Sequence, residues 1–214
     1  KINTLPKIHI VDRYMQAVKS FGVVNDGKGL DYYISAKEEA VMNELPAAHR
    51  NGYIAWVIGA RHFTKRLPME KMISISRKIK SPIVLLGGIE DVETGNLLSK
   101  EDTTKIFNAC GKFSLNQSAA LVKNSQKVIT HDTGLMHIAA AFHKEIISIW
   151  GNTIPEFGMY PYFDKEIQRI SGVERSTFND QRLGLVILEV KNLPCRPCSK
   201  IGFEKCPRGH FRCM

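Results

Sequence analysis

From residue 51 onward, apolar runs of strand length alternate with segments of helical period, and no other feature of this chain restricts its fold so tightly. Tyr53 to Gly59 reads as a buried strand. A helix opened by Pro68 follows and places Met72, Ile75 and Ile79 on one face. Pro82 to Leu86 is a second strand stopped by Gly87-Gly88, Val92 to Ser99 a helix, and Ile106 to Ala109 a third strand. Ser114-Leu115-Asn116-Gln117 is a capping box that opens a helix carrying Ala119 and Val122. Lys127 to Thr130 is a strand, Gly134 to Phe142 an Ala-rich helix, and Glu145 to Trp150 a fifth strand. Strands apolar along their whole length belong to parallel sheets covered on both faces. With right-handed crossovers, the expectation is an α/β fold, a Rossmann-like doubly wound parallel sheet. Ligands of such sheets bind beyond the carboxyl ends of the strands, so the loops after Gly59, Leu86, Ala109, Thr130 and Trp150 are the ones that matter.

The first 50 residues read differently, as helices around a linker. Val11, Tyr14, Met15 and Val18 recur on one helical face with Gly22 as a stop, Asn25-Asp26-Gly27 is a turn, and Ser35 to Glu38 is a second capping box. The expected organisation is an interdomain or N-terminal-domain remnant over 1–50, a Rossmann-like domain over 51–190 and a Cys-rich tail over 191–214. The chain starts at Lys1 without a Met, which suggests a piece of a longer protein. No apolar run approaches the roughly 18 residues of a spanning helix, and no signal peptide is visible.

Thirty Lys and Arg against 21 Asp and Glu give a net charge of +9. Anionic partners follow: phosphates, or an acidic membrane face. The basic residues are spread along the chain without interleaved aromatics, so nucleic acid is not among the expected partners. Of five cysteines, four fall in the tail at Cys195, Cys198, Cys206 and Cys213. With His210 they have zinc-like spacing, and the alternative is a tail of reduced, packed thiols in a reducing compartment. No metal or other cofactor is assigned to the chain.

Four loops carry candidate chemistry. Thr130 to His137 spans a strand-to-helix junction, where Asp132 or Thr133 would cap the helix and Gly134 would let a ligand reach the backbone. The first amides of a helix lack internal partners and suit a phosphate, and His137 lies one turn on. Lys65, in the basic loop Ala60 to Arg66, would place a point charge on a phosphate. Gly87 to Asp91 offers Glu90 to a ribose or base, with Asp91 as a helix cap, and Phe113 would pack on a base. Neither the G-x-G-x-x-G fingerprint nor a Walker A loop is present.

Together these loops resemble glycosyltransferase family 9, the ADP-heptose:lipopolysaccharide heptosyltransferases. The resemblance is carried by residues 128–162, including HDTGLMHIAAAF and IWGNTIPEFGMYPY, by the K-R-L-P loop, and by the tail CRPCSKIGFEKCPRGHFRCM. It extends over residues 51–214, and HIVDRY at residues 9–14 is similar to the segment linking the family's two domains. The family implies the C-terminal, donor-binding half of a GT-B glycosyltransferase that transfers heptose from ADP-heptose to a lipopolysaccharide-core acceptor with inversion. By that resemblance Asp132, Thr133, Gly134 and His137 hold the diphosphate, Lys65 contacts phosphate and sugar, Phe113 packs on the adenine, and Glu90 (or Asp91) contacts the nucleoside. Ala60 and Arg61 stand where family members often carry threonines, and G-G-I-E-D departs from the better-known members. The cationic set needs no divalent metal for the leaving diphosphate, and the general base is expected outside this chain. The chain alone is therefore expected not to turn over, in a cytoplasmic enzyme at the inner face of the membrane. The other readings are a non-catalytic nucleotide-binding domain, a transferase using another nucleotide-sugar, and a zinc-stabilised interaction module.

Overall fold

A computed structural model describes residues 8–164 and 184–214. The helices are α1 (Ile10–Ala17), α2 (Ala36–Glu39), α3 (Ala47–Arg50), α4 (Met69–Lys78), α5 (Val92–Ser99), α6 (Leu115–Asn124) and α7 (Gly134–Ala141). The strands are β1 (Ile54–Val57), β2 (Ile83–Leu86), β3 (Ile106–Asn108), β4 (Lys127–His131), β5 (Ile146–Trp150) and β6 (Leu185–Glu189). All pair in parallel, in the order β3-β2-β1-β4-β5-β6. This is the doubly wound Rossmann order, in which the direction of winding reverses between β1 and β4.

Because side chains alternate across a strand, each strand feeds two cores. Ala55 and Val57 of β1 share one core with Val84, Leu86, Val128 and Ile146 and with Leu121 of α6 and Met136 of α7. Trp56 and Ile58 share the other with Ile83, Leu85, Ile129 and Ile149, with Met72 and Leu98 of α4 and α5, and with Met214 at the C-terminus. Burial on both faces explains why these strands are apolar at consecutive positions.

The strand and helix expectations hold to within a residue or two, with three differences. Pro68 stands at the N-cap of α4 and not inside it, its extended φ and ψ leading into Met69. β6 was not expected: its run Leu185-Val186-Ile187-Leu188 extends the sheet along β5. The apolar stripe of α1 forms on a helix, but Tyr14 is 68% exposed and Val18 is exposed as well. That helix docks by polar contacts instead. Ile10 N donates to Gly158 O at 2.8 Å, Arg13 to Phe157 O at 2.6 Å, and buried His9 packs edge-on against Tyr160 and at a tilt against Tyr162. Further along, Val41 and Leu45 sit in the same core as Tyr53 and Leu121.

Both capping boxes form, Ser35 with Glu38 and Ser114 with Gln117. Gly95, in the middle of α5, is explained by packing. A Cβ there would lie 2.3 Å from Asn108 Oδ1 on β3. Asn108 is fixed: its amide donates to Val92 O and Asn96 Oδ1, and it accepts from Cys110 N at 3.0 Å.

Gly95→Ala sets two effects against each other. Helix propensity alone would add about 1 kcal/mol of stability. Displacing Asn108 leaves buried polar groups unpaired at about 1–3 kcal/mol each, so the packing cost wins. We expect a net loss of about 1–2 kcal/mol in urea denaturation; a stabilised variant would show that Asn108 does not hold α5 against β3.

Candidate functional site

The carboxyl ends of β1, β2 and β4 open onto a cleft of about 640 Å³, within the usual range for small-molecule sites. Gly59, Ala60, Arg61 and Arg66 line it from the β1 loop, Gly87, Gly88, Glu90 and Asp91 from the β2 loop, and Thr133, Gly134 and Leu135 from the start of α7. Phe113, Leu115 and Ser118 form the wall on the α6 side. Of the residues anticipated from sequence, Glu90, Phe113, Thr133 and Gly134 thus share one cavity. Glu90 is exposed at its rim, and Phe113 is half-buried against the first core.

Lys65, Asp132 and His137 form a second group beside this cleft. Lys65 Nζ donates to Asp132 Oδ2 at 2.6 Å, and Thr153 Oγ1 donates to the same oxygen at 3.0 Å. The pair is largely sheltered, with side chains 15% and 11% exposed. His137 feels both charges. Burial holds its pKa below the ordinary histidine value, with Asp132 pulling it up and Lys65 pushing it down. Its ring lies 6.4 Å from that of His9.

The caps differ from expectation. Thr133 occupies the N-cap of α7, but neither its hydroxyl nor the Asp132 carboxylate caps the helix. The Asp132 oxygen is already committed to Lys65 and Thr153, and the Thr133 hydroxyl faces that of Thr130 at 3.4 Å. The end of the helix, with its partial positive charge, is left without a side-chain partner. A Cβ on Gly134 would meet nothing within 4 Å, so the approach to these amides is open.

Asp91 likewise stands at the N-cap position of α5 without capping it. Its buried carboxylate turns back to accept from Gly88 N at 2.9 Å and pairs with Arg66 at 3.2 Å. Burial raises its pKa, against the Gly88 hydrogen bond and the Arg66 charge. The same carboxylate explains two glycines. A Cβ on Gly59 or Gly87 would lie 2.0 or 2.7 Å from Asp91 Oδ2. Asp91 and Arg66 therefore build the floor of the cleft. Arg66 and Thr153 were missed from sequence although both lie in the stretches that carry the family resemblance, because their partners, Asp91 and Asp132, are distant in sequence and are met only through the fold.

The four tail cysteines lie near one another, Cys195 and Cys206 acting on Cys198 and all three of these on Cys213. All five cysteines are free, Cys195 Sγ lies 3.6 Å from His210 Nε2, and among the described residues no three His, Cys, Asp or Glu side chains are grouped to hold a metal ion. Cys195, Cys198 and Cys206 are half-buried and Cys213 is buried. Among the described residues no helix is long and apolar enough to cross a membrane.

Two histidines near the cleft, His9 and His131, are buried. Leu67 N donates to His131 Nε2 at 3.0 Å, and His9 accepts from Val11 N on Nδ1 while Nε2 donates to Tyr160 O. Burial lowers both pKa values from 6.5 to about 4. Between those values the unfolded chain binds the extra protons, so stability is complete above pH 6.5 and is lost as pH falls toward 4. Each histidine accounts for roughly 3 kcal/mol over that window, with His137 acting in the same sense and Asp91 in the opposite one. We expect the urea midpoint to fall steeply from pH 7 to pH 4, with a shallower slope in His131→Gln. A midpoint independent of pH would contradict the neutral, buried state of both rings.

Comparison with known proteins identifies the family and the fold. The sequence profile of Glycosyltransferase family 9 (heptosyltransferase) matches residues 1–182. Lipopolysaccharide heptosyltransferase 2 of Escherichia coli K12 is 33% identical over 164 residues, covering 69% of this chain and 47% of its own length. Among solved structures, a glycosyl transferase family 9 protein from Veillonella parvula superposes with a TM-score of 0.62 at 25% identity, over 75% of this chain and 49% of the other. The E. coli ADP-heptose lps heptosyltransferase II superposes with a TM-score of 0.51 at 25% identity, over 59% and 41%. The chain spans about half the length of the curated relatives it matches. With the family profile covering most of its length and its sheet superposing on family structures, the chain belongs to glycosyltransferase family 9, the heptosyltransferase family.

Proposed function

We propose that this chain is the donor-binding half of an inverting glycosyltransferase and that its ligand is ADP-heptose or a close relative. The observation that carries this reading is the uncapped start of α7, open at Gly134, with Lys65 held beside it. A diphosphate placed there accepts from the first amides of α7 and meets the helix dipole. Lys65 supplies a full charge, and His137 stands within reach of the same charges. Asp132 is itself an anion, so its side chain serves by aiming Lys65 and not by holding phosphate. The nucleoside lies in the cleft, with Phe113 against the base and Glu90 toward the ribose or base. ADP-heptose as donor is supported by the name of the E. coli structural relative, and a lipopolysaccharide-core acceptor by the curated relatives.

The chemistry follows from charge. An acceptor hydroxyl attacks the anomeric carbon as the bond to the diphosphate oxygen breaks, and negative charge grows on the departing ADP. Amides and a lysine already in place stabilise that charge without reorganisation. The acceptor proton goes to a general base, which we place outside this chain, in the half of the relatives' length that it does not span. Turnover then requires that half. The net charge of +9 supports work at the cytoplasmic, anionic face of a membrane, by attraction and not by insertion.

Calorimetric titration with ADP, UDP, GDP and NAD tests the reading. ADP should bind most tightly. Gly134→Val should leave the melting temperature unchanged, since the added side chain meets open space, and yet weaken ADP about tenfold or more by filling the path to the amides. Lys65→Met should weaken ADP by a similar factor. Unaltered ADP affinity in both variants would place the nucleotide elsewhere. Tighter binding of UDP or GDP would keep the site and change the donor.

A further inference from the structure

The Cys-rich tail packs against both loops that meet at Asp132. Thr64, next to Lys65, donates from its backbone to Phe203 O at 3.2 Å, and its hydroxyl accepts from Phe203 N at 2.8 Å. Phe63 stacks on Phe211 with ring centres 5.0 Å apart. A Cβ on Gly202 would lie 2.5 Å from His62 Cβ, so the tail backbone lies directly on the loop. On the other side, Arg196 reaches the loop after β5. Its Nε donates to Gly151 O at 2.5 Å and its Nη2 to Thr153 O at 2.8 Å, while Nη1 pairs with Glu189 at 2.7 Å. The ion pair is buried, with side chains 6% and 8% exposed. Thr153, fully buried, then donates its hydroxyl to Asp132 Oδ2.

We propose that Arg196 is a positioning residue for the donor site: through Thr153 it fixes Asp132, and through Asp132 it fixes Lys65 at the start of α7. The proposal rests on the donor-site reading above. Its geometry favours aiming over simple cohesion. The guanidinium is planar, and it satisfies two carbonyls of the 151–153 loop and a carboxylate at once from one plane, which a lysine ammonium cannot reproduce. The two carbonyls lie on either side of Asn152, so their spacing sets the path of the backbone that carries the Thr153 hydroxyl. The tail thus reaches Asp132 from two directions, through Thr64 to the Lys65 loop and through Arg196 to Thr153.

Arg196→Lys and Thr153→Val, alone and together, test the proposal in the chain as it stands. The first keeps the charge opposite Glu189, and the second keeps the shape of the threonine. Two readouts are used: the His137 ring titration by NMR without ligand, which senses Asp132 and Lys65 with His9 nearby, and ADP affinity by calorimetry. We expect each variant to move the His137 pKa by about 0.3 or more and to weaken ADP about tenfold. The double variant should be no weaker than the worse single one, because both act through Asp132. The melting temperature should fall modestly in each variant, since a buried hydrogen bond is lost, while the His131 signals should stay near those of the parent, and if Arg196→Lys fails to fold, Thr153→Val alone decides. Unchanged His137 titration overturns the proposal, whether or not ADP weakens. Additive losses in the double variant overturn it too. A shifted His137 in a chain whose parent form does not bind ADP would uphold the positioning of Asp132 and remove the donor-site reading beneath it.

Discussion

Everything at the site depends on the pairing of β1 with β4. Ile54, Ala55 and Trp56 lie opposite Lys127, Val128 and Ile129, and the chain leaves the two strands toward opposite edges of the sheet. Two loops that depart from neighbouring strands in opposite directions leave a crevice between them. Its position is set by backbone hydrogen bonds and not by loop sequence. The loop after β1 brings Lys65, and the junction after β4 brings Asp132 and the start of α7. Two segments more than 60 residues apart in sequence thus meet at 2.6 Å.

The crevice would collapse or flood without a floor, and Asp91 with Arg66 supplies one. A buried carboxylate is costly unless it is paired and hydrogen-bonded. Here it receives the Gly88 amide and the Arg66 guanidinium, and Arg66 also donates to Ala60 O at 2.6 Å. The carboxylate ties the β1 loop to the β2 loop. Gly59 and Gly87 are glycines because there is no room for a Cβ beside it. The loop that the sequence offered as a nucleoside contact is therefore divided: Asp91 belongs to the scaffold, and Glu90 stays exposed at the rim.

The parts of this arrangement that were legible in the sequence are those with a local signal. Strand length, a capping box and a glycine at a strand-to-helix junction are short patterns, and Val92–Ser99, Ser114–Gln117 and Gly134 were readable for that reason. The polar network was not legible, because its members are distant in sequence and joined only by the fold. Thr153 is an ordinary residue of a turn until β5 brings it under Asp132. The stripe of α1, half-buried at Val11 and Met15 and exposed at Tyr14 and Val18, shows the converse. Periodicity states that a face is apolar, not what covers it. In the tail, the cysteine spacing was legible, but the contacts that tie the segment to the domain, through Arg196, Phe203 and the packing of Met214 beneath Gly151, were not.

The Lys65–Asp132 pair is hard to explain by stability. A partly sheltered ion pair gains Coulomb energy and loses a comparable amount through desolvation, so its net contribution is near zero. Two uncharged side chains of similar size would hold the loops together as well. What the pair does provide is a cation already stripped of most of its water, fixed in direction and standing at a helix end that no side chain caps. A diphosphate arriving there meets donors whose desolvation has been met during folding, and it adds its own charge to a lysine whose first partner is a single carboxylate oxygen. The same oxygen is tied to Thr153, so Asp132 stays in place when Lys65 turns toward a second anion. On the proposed reading, the ion pair is retained because it can be shared without being broken, which an apolar contact could not do.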